Sequence, residues 1–225
     1  MQADFNRPVL AVDTGTSRLS LALRADGETR LFHQEVGSRQ SELILPEIRT
    51  LFRDAGITAA DLGAVVYAQG PGAFTGLRIG IGVAQGLATP FDTPLIGVPS
   101  LDAAASLPPP QSCILAATDA RMGEVFYAWF DTLNCRRLSD YQVGRAADIR
   151  LPEGYAFSDG IGSAFALEEA PPFSGRPDMP TAADFLALAA KGGYPAVHAA
   201  HAGLLYVRNK IALTAKEQAE RRARP

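Results

Sequence analysis

The chain has 225 residues, of which 47% are hydrophobic, so it can bury one sizeable core or two modest ones. Its 21 Lys and Arg residues against 24 Asp and Glu residues give a net charge of −3, which offers no overall electrostatic reason to hold nucleic acid. No stretch reaches the roughly 18 apolar residues that a membrane span needs, and the N-terminus lacks the pattern of a secretory leader. We therefore expect a cytoplasmic protein without membrane contact and, because Cys113 and Cys135 lack a CxxC spacing, with reduced thiols.

Residues 9–36 predict three antiparallel strands. An apolar run from Val9 to Val12 ends at Asp13, and residues 19–23 alternate between leucine and other residue types. Asp26-Gly27 then supplies a tight hairpin turn into a third strand at Thr29 to Val36.

An alternation of helices and strands follows, which implies parallel strand pairing with crossover helices. Ser38 is expected to cap the first helix, and Gly56 to end it. The expected elements are a helix to Ala55, a strand at Ala64 to Ala68, a helix at Phe74 to Ala88, a strand at Leu95 to Val98 and a short helix capped by Ser100.

Three consecutive prolines at residues 108–110 form the clearest linker, because they stiffen the backbone and end helices. We place the lobe boundary there. The expected units are an N-terminal lobe at 1–107, a second lobe at 111–207 and a basic helical tail at 208–225.

The start of the second lobe repeats the start of the first. An apolar strand, Ile114 to Ala117, leads to Asp119, and a further strand follows at Glu124 to Phe130. This order of strand, aspartate, turn and strand also occurs in residues 9–23. It predicts a duplicated domain, with a chance coincidence as the alternative.

The two turns carry the candidate chemistry, as a vestigial nucleotide site. Asp13-Thr14-Gly15-Thr16 offers a carboxylate, two hydroxyls and a glycine, with which two-lobed ATPases hold phosphate and magnesium; the same residue types are expected in an ordinary β-turn. In the companion turn after Asp119, Arg121 stands where the first turn has Gly15. Its bulk hinders close backbone approach to a phosphate, although its charge can meet an anion.

A glycine-rich segment, Gly70 to Gly76, lies between a strand and a helix, where a phosphate loop would be. It lacks both the Walker lysine and the GxGxxG spacing. The helix contains four glycines, each costing roughly 1 kcal/mol relative to alanine: Gly76, Gly80, Gly82 and Gly86. A helix without side chains lets another helix approach closely, so these glycines predict a docking surface or a very tight internal contact, and we favour docking.

The residues from Gly70 to Gly80, GPGAFTGLRIG, and from Ala84 to Ala88, AQGLA, closely resemble the signature of the TsaB (YeaZ) family. Further segments are similar to the family's other marked regions, namely Asp13-Thr14, Pro94 to Val98, Asp119 to Val125 and Tyr206-Val207-Arg208.

The resemblance implies an α/β protein with the two-lobed actin-like ATPase (ribonuclease H-like) fold, each lobe a mixed sheet with flanking helices. It implies a non-catalytic scaffold or activator subunit in the formation of N6-threonylcarbamoyladenosine at position 37 of tRNA. The implied partners are the catalytic paralogue TsaD, the ATPase TsaE recruited by the pair, and a second copy of the chain bound through the same helices. Contact with tRNA would occur mainly via the complex, without an intrinsic cofactor, and ATP or ADP would bind at the partner complex.

Two metal-binding histidines of TsaD correspond here to Ser100 and Ala104, neither of which replaces imidazole as a ligand, so no metal and no independent turnover are expected. Departures from the family are Gln40, where many members have histidine, and Leu204, where many have proline. The family's docking surface maps onto the helices at 38–55 and 74–88. The expected partner contacts are Gln40, Leu43, Pro46, Glu47, Thr75, Gly76, Ile79, Gly80, Val83 and Gly86.

The alternative function is an active actin-like ATPase or sugar kinase that uses Asp13 and Asp119 around magnesium, against which Arg121 argues. The three histidines, His33, His198 and His201, form neither a recognisable zinc set nor a Ser-His-Asp arrangement.

Overall fold

The computed structural model describes residues 1–207. Its first sheet is mixed and has six strands: β1 (Val9–Asp13), β2 (Arg18–Ala25), β3 (Glu28–Glu35), β4 (Ala64–Gly70), β5 (Leu95–Pro99) and β11 (Ala196–Val197), in the order β11-β5-β4-β1-β2-β3. β1 pairs antiparallel with β2 and parallel with β4. The predicted antiparallel start and the later parallel pairing are both confirmed. The β2–β3 turn has positive φ at Asp26 and Gly27, as expected.

Four helices flank the sheets: α1 (Gln40–Ala55), α2 (Phe74–Ala88), α3 (Ser100–Ala105) and α4 (Ala182–Ala190). α1 ends at Gly56 with a left-handed φ of 66°, which confirms the predicted stop. The two predicted caps are each wrong by one residue. Arg39 and Pro99, not Ser38 and Ser100, occupy the N-cap positions, and neither side chain accepts a backbone N–H of its helix. Arg39 instead donates from Nε to the Glu42 carboxylate on α1 at 3.1 Å.

The central strands β1 and β4 are buried on both faces, which explains their nearly continuous apolar sequence. Along β1, Leu10 and Val12 face one core together with α1 and most of α2. Val9 and Ala11 face the opposite core together with α4. The alternation follows from the two-residue period of a strand.

The second sheet repeats the pairing of the first. It contains β6 (Ile114–Arg121), β7 (Glu124–Asp131), β8 (Arg136–Arg137), β9 (Gln142–Gly144) and β10 (Asp159–Ile161), in the order β10-β6-β7-β8 with β9 also on β7. β6 pairs antiparallel with β7 and parallel with β10, as β1 does with β2 and β4. This shared topology supports the predicted duplication.

The chain returns to the first lobe near its C-terminus, which corrects the expected second lobe at 111–207. α4 packs Phe185 and Leu186 into the core on the α4 side of the first sheet, and β11 pairs with β5. The physical reason is that this face of the sheet would otherwise expose its apolar side chains. The predicted basic tail at 208–225 lies outside the described residues.

A half-buried carboxylate joins the lobes. Asp102, on α3, accepts hydrogen bonds from Tyr141 Oη of the second lobe (2.6 Å) and from Tyr194 Oη (3.0 Å). Burial raises the pKa of Asp102, and the two hydrogen bonds oppose that rise. Among residues 1–207, no helix is both long and apolar enough to cross a bilayer.

Candidate functional site: an interhelical groove and an interlobe cleft

One face of α2 is sealed inside the first lobe. A Cβ atom added to Gly76 would overlap the Thr14 carbonyl oxygen, and one added to Gly80 would overlap Thr14 Oγ1. Thr14 Oγ1 in turn donates to the Gly76 carbonyl oxygen at 2.7 Å. This half of the predicted glycine surface is therefore a tight internal contact between α2 and the end of β1.

The opposite glycines are open. Gly82 and Gly86 are exposed, and an added Cβ would have no heavy atom of residues 1–207 within 4 Å. They lie one turn apart along a groove of about 520 Å³ between α1 and α2. The groove is mainly apolar, and its lining includes Leu45, Ile79, Gly82, Val83, Gly86 and Leu87.

Three of the predicted partner-contact residues are buried within the first lobe. Gly76 and Gly80 are buried against Thr14, as described above. Gln40 is only 6% exposed, and its side-chain amide donates to the carbonyl oxygens of Thr16 and Arg18. A glutamine at this position thus ties down the turn after β1, because its NH₂ group can serve more than one backbone acceptor.

The other predicted contacts divide between two places. Ile79, Val83 and Gly86 line the groove, whereas Thr75 faces the interlobe cleft. On α1, Pro46 is exposed, and Leu43 and Glu47 are half-buried. The role of these residues in docking stays a prediction.

Sequence reasoning placed Gly82 among the docking glycines but left it out of the expected partner contacts, and it missed Leu45 and Arg78 as members of the groove wall. Helical spacing could have found Gly82, which lies three residues after Ile79 and four before Gly86. Leu45 is 51% exposed, whereas its neighbour Ile44 is buried. The sequence shows two adjacent apolar residues and does not indicate which of them faces outward.

The interlobe cleft, of about 910 Å³, brings the two predicted turns together. Asp13, Gly15 and Thr16 line it from the first lobe, and Asp119 and Arg121 from the second. The turns have the same local geometry: Asp13 Oδ1 accepts from the Gly15 backbone N–H (2.8 Å), and Asp119 Oδ1 accepts from that of Arg121 (2.7 Å). Both are Asx-turns.

The first turn is packed from behind by the glycine-rich segment. The Ala73 backbone N–H donates to the Gly15 carbonyl oxygen at 2.8 Å, and a Cβ on Gly72 would lie 2.7 Å from that oxygen. Thr14, a predicted site residue, lies 1% exposed behind the turn and bonds to α2 instead of facing the cleft. The segment that resembles a phosphate loop therefore contacts protein backbone at this point.

The two carboxylates have different surroundings. Asp13 is 7% exposed, and burial raises its pKa from 3.8 to about 6, opposed by the hydrogen bond from Gly15. Asp119 lies 3.3 Å from the guanidinium of Arg121, which is mostly exposed. The second turn thus carries its own counter-charge, whereas no cation partner of Asp13 is seen among residues 1–207.

A serine–histidine pair also lies beside the cleft. Ser20 Oγ is 2.9 Å from Nδ1 of His33 and accepts the backbone N–H of Ala182 at 2.8 Å. Ser20 is 1% exposed, so its hydroxyl cannot reach a substrate as a nucleophile. The pair connects β2 and β3 to the start of α4.

The positions of the two TsaD histidines lie on α3. Ser100 borders the interlobe cleft, and Ala104 is fully buried. Within residues 1–207, no three His, Cys, Asp or Glu side chains lie close enough to hold a metal ion.

Comparisons with known proteins agree with these features. A family model described as "TsaD: tRNA N6-adenosine threonylcarbamoyltransferase" matches residues 33–156, more than half of the chain. A protein of Escherichia coli K12, named "tRNA threonylcarbamoyladenosine biosynthesis protein TsaB", is 41% identical over 123 residues, which is 53% of each chain. A Bacillus subtilis protein of the same name is 33% identical over 128 residues, or 56% of each chain. The match spans about half the length of these curated relatives.

The solved structure titled "YeaZ from Pseudomonas aeruginosa" has a TM-score of 0.77 at 30% identity, and the alignment covers 88% of this chain and 99% of that one. A second Pseudomonas aeruginosa structure, described as similar to peptidase YEAZ, has a TM-score of 0.78 at 29% identity and covers 89% and 99% of the two chains. Likeness therefore extends over both lobes. The chain belongs to the family matched by the TsaD model, as one of its TsaB (YeaZ) members with the actin-like ATPase fold.

Proposed function

We propose that this chain is a non-catalytic scaffold or activator subunit in the formation of N6-threonylcarbamoyladenosine at position 37 of tRNA, and that it docks the catalytic subunit TsaD. Involvement in threonylcarbamoyladenosine biosynthesis follows from the names of its relatives. The finer role rests on the groove between α1 and α2. TsaE would be recruited by the docked pair, and the work would take place in the cytoplasm.

The observation that carries the proposal is the part of the groove formed by Gly82 and Gly86, where α2 has no side chains. Each open glycine costs the isolated helix roughly 1 kcal/mol relative to alanine and gains no contact with the rest of residues 1–207. A partner helix could come closer there than the usual 8 to 10 Å between axes. The exposed Leu45 and the half-buried Ile79 and Val83 offer it apolar contacts.

The same groove suits a second copy of the chain, because two such walls are self-complementary around a twofold axis. Homodimer and TsaD complex would then compete for one surface. In the absence of TsaD, the homodimer would cover the apolar groove of each chain.

The absence of turnover is also part of the proposal. Ser100 and Ala104 cannot replace two imidazole ligands, and the turn at residues 13–16 is filled from behind by residues 72 and 73. Catalysis would belong to TsaD, with ATP or ADP held at the complex.

The test replaces both open glycines with leucine, Gly82→Leu and Gly86→Leu, in the full chain. We expect TsaD binding to weaken at least tenfold and the modified nucleoside to fall in cells that carry only this variant, as measured by titration and by tRNA nucleoside analysis. The free chain should also shift from dimer to monomer in sedimentation.

The matched control is Gly144→Leu, because Gly144 is equally open but lies on β9, in the other sheet. Its TsaD affinity should be unchanged. Normal docking and normal tRNA modification by the folded double variant would refute the proposed role of the groove.

The alternative function, an actin-like ATPase or sugar kinase, is favoured by one observation, namely that Asp13 and Asp119 line the same cleft. ATP hydrolysis by the purified chain with magnesium, abolished by Asp13→Asn, would establish it. We expect no such turnover.

A further inference from the structure

The groove between α1 and α2 is apolar, but each of the two helices carries an exposed arginine beside it. Arg78 lines the groove from α2. Arg49 follows Leu45, a lining residue of α1, by one helical turn, so it continues the same face of that helix. An apolar surface bordered by cations offers a partner both burial and charge.

These two arginines differ from the others in residues 1–207, whose guanidinium groups all have acceptors. Nine arginines lie within 4 Å of an Asp or Glu oxygen. Arg7, Arg24 and Arg150 donate to backbone carbonyl oxygens. Arg49 and Arg78 have no hydrogen-bond acceptor in the part of the chain that the structure describes. The arginines without an acceptor are thus the two that border the groove.

Arg78 is held in position by an aromatic ring. Its guanidinium lies 3.8 Å from the centre of the Phe74 ring, which itself lies 6.0 Å from the ring of Tyr206. Stacking of this kind leaves the N–H donors at the edge of the guanidinium plane available to a carboxylate. A side chain that is already held in place also loses less conformational entropy when it binds.

The two cations lie toward opposite ends of the groove. β3, β4 and β5 run in the same direction, because β3 reaches β1 through two antiparallel pairings and β4 and β5 are paired in parallel. α1 connects β3 to β4 and α2 connects β4 to β5, so the two crossover helices run parallel to each other. Arg78 begins the α2 wall, whereas Arg49 lies beyond Leu45 toward the end of α1. A helix laid along the groove would therefore meet one cation near each end.

We propose that the occupant of this groove is a helix of another protein whose apolar face is flanked by two carboxylates, and that Arg49 and Arg78 select it over a second copy of the chain. The inference deepens the proposed function and rests on it, because TsaD is that occupant. An arginine covered by an apolar partner loses its hydration without compensation. A carboxylate placed opposite it restores the balance and adds specificity.

A second copy of the chain is a poorer match for these arginines. α2 contains no Asp or Glu, and Glu42 and Asp54 of α1 are already paired with Arg39 and Arg53. Glu47 is the one carboxylate of α1 without an ion pair within residues 1–207. A twofold dimer brings the same surface from both copies. It would set two unpaired arginines from each copy, four in all, against two unpaired glutamates, and the excess of like charge disfavours it.

The experiment compares two binding equilibria of the full chain, with TsaD by titration and with itself by sedimentation equilibrium. The test variant is Arg49→Gln with Arg78→Gln. We expect its affinity for TsaD to fall about 10- to 100-fold, because two charge-assisted contacts are lost. Dimerisation should stay as it is or become tighter, because like charges are removed. The dependence of TsaD affinity on KCl concentration should also become shallower.

Two further variants serve as controls. Arg145→Gln with Arg176→Gln removes the same charge from the second lobe, where both arginines have carboxylate partners, and should change neither equilibrium. Arg49→Lys with Arg78→Lys keeps the charge and should lose less TsaD affinity than the glutamine variant. Equal losses in the lysine and glutamine variants would assign the effect to the shape of the side chains and overturn the proposal.

Unchanged TsaD affinity in the test variant would overturn the proposal, as would an equal weakening of TsaD binding and dimerisation. An equal loss in the second-lobe control would do the same. Failure of the proposed function would look different, because Gly82→Leu with Gly86→Leu would then leave TsaD binding normal. If the leucine variant loses TsaD binding while the glutamine variant keeps it, the groove is the docking site and selection by the arginines is refuted.

Discussion

The two glycine pairs of α2 face opposite surroundings. Gly76 and Gly80 press against Thr14 at the end of β1, where no Cβ fits. Gly82 and Gly86 stand open on the groove between α1 and α2. The inner pair is explained by the fold of the chain itself, whereas nothing in the part of the chain that the structure describes packs on the outer pair, which is the better candidate for contact with another molecule.

The inner pair gives the first and largest expected effect. Gly76→Ala should destabilise the full chain by about 3 kcal/mol, at the upper end of the costs of overpacking. The added Cβ would overlap the Thr14 carbonyl oxygen, which is held in place by the end of β1. Urea unfolding measures the change. A gain in stability, as expected for Gly82→Ala, would show that the two faces of α2 do not differ.

The turn under the inner face should make stability depend on pH. The pKa of Asp13 is about 6 in the folded chain against an ordinary value of 3.8, so the folded state binds the proton more tightly. This contribution is fully present below about pH 4 and is lost as pH rises through 6, at a cost of about 3 kcal/mol.

Asp13→Asn should remove that pH dependence, because the amide oxygen can still accept the Gly15 N–H without a charge. Unfolding free energies between pH 4 and 7 provide the measurement. Asp119→Asn, at the equivalent turn beside Arg121, serves as the control and should keep the fall in stability. If the unfolding free energy of Asp13→Asn fell with pH as steeply as that of the unmodified chain, the pH dependence would not come from Asp13.

Loss of the Gln40 side chain, which lies across the same turn, should have an intermediate effect on stability. Gln40→Ala removes the donor to the Thr16 and Arg18 carbonyl oxygens, and loss of a donor to partly buried acceptors costs about 1 to 2 kcal/mol. Thermal and urea unfolding would detect the loss. Gln40→Glu is a sharper comparison, because it keeps the shape of the side chain but replaces the donating NH₂ group with a carboxylate oxygen that faces two carbonyl oxygens. It should destabilise the chain at least as much as Gln40→Ala.

The outer pair should respond with the opposite sign. Gly82→Ala and Gly86→Ala should each stabilise the isolated chain by about 1 kcal/mol, because alanine favours the helix and meets nothing within 4 Å. Unfolding of each single variant measures the gain. Destabilisation by either would mean that the outer face has an internal role as well.

Local sequence signals anticipated most of the elements. The helices around α1 and α2 and the strands β1 to β7 were predictable because apolar periodicity and turn residues act within a few residues of one another. Asp26-Gly27 and Gly56 illustrate this, since each has the backbone angle that its residue type favours. The family resemblance was equally local, resting on the segment that begins at Gly70.

Other features depended on distant parts of the chain. A glycine has no side chain, so the periodicity of α2 could not tell that Gly80 touches Thr14, 66 residues earlier, while Gly82 touches nothing. Gln40 gave a polar signal but lies buried under the turn after β1. α4 is apolar enough for either lobe, and only the uncovered face of the first sheet decides that it packs there.

The sequence by itself thus determined the order and kind of the elements up to β7, the repeated Asp-turn pattern and the family, because each depends on short-range preferences or on residue identity alone. Only the tertiary structure decided which glycines are sealed and which are open, and it also brought Asp13 and Asp119 to one cleft. The physical reason is that close approach and burial are properties of pairs of surfaces, and one surface of each pair lies far away along the chain.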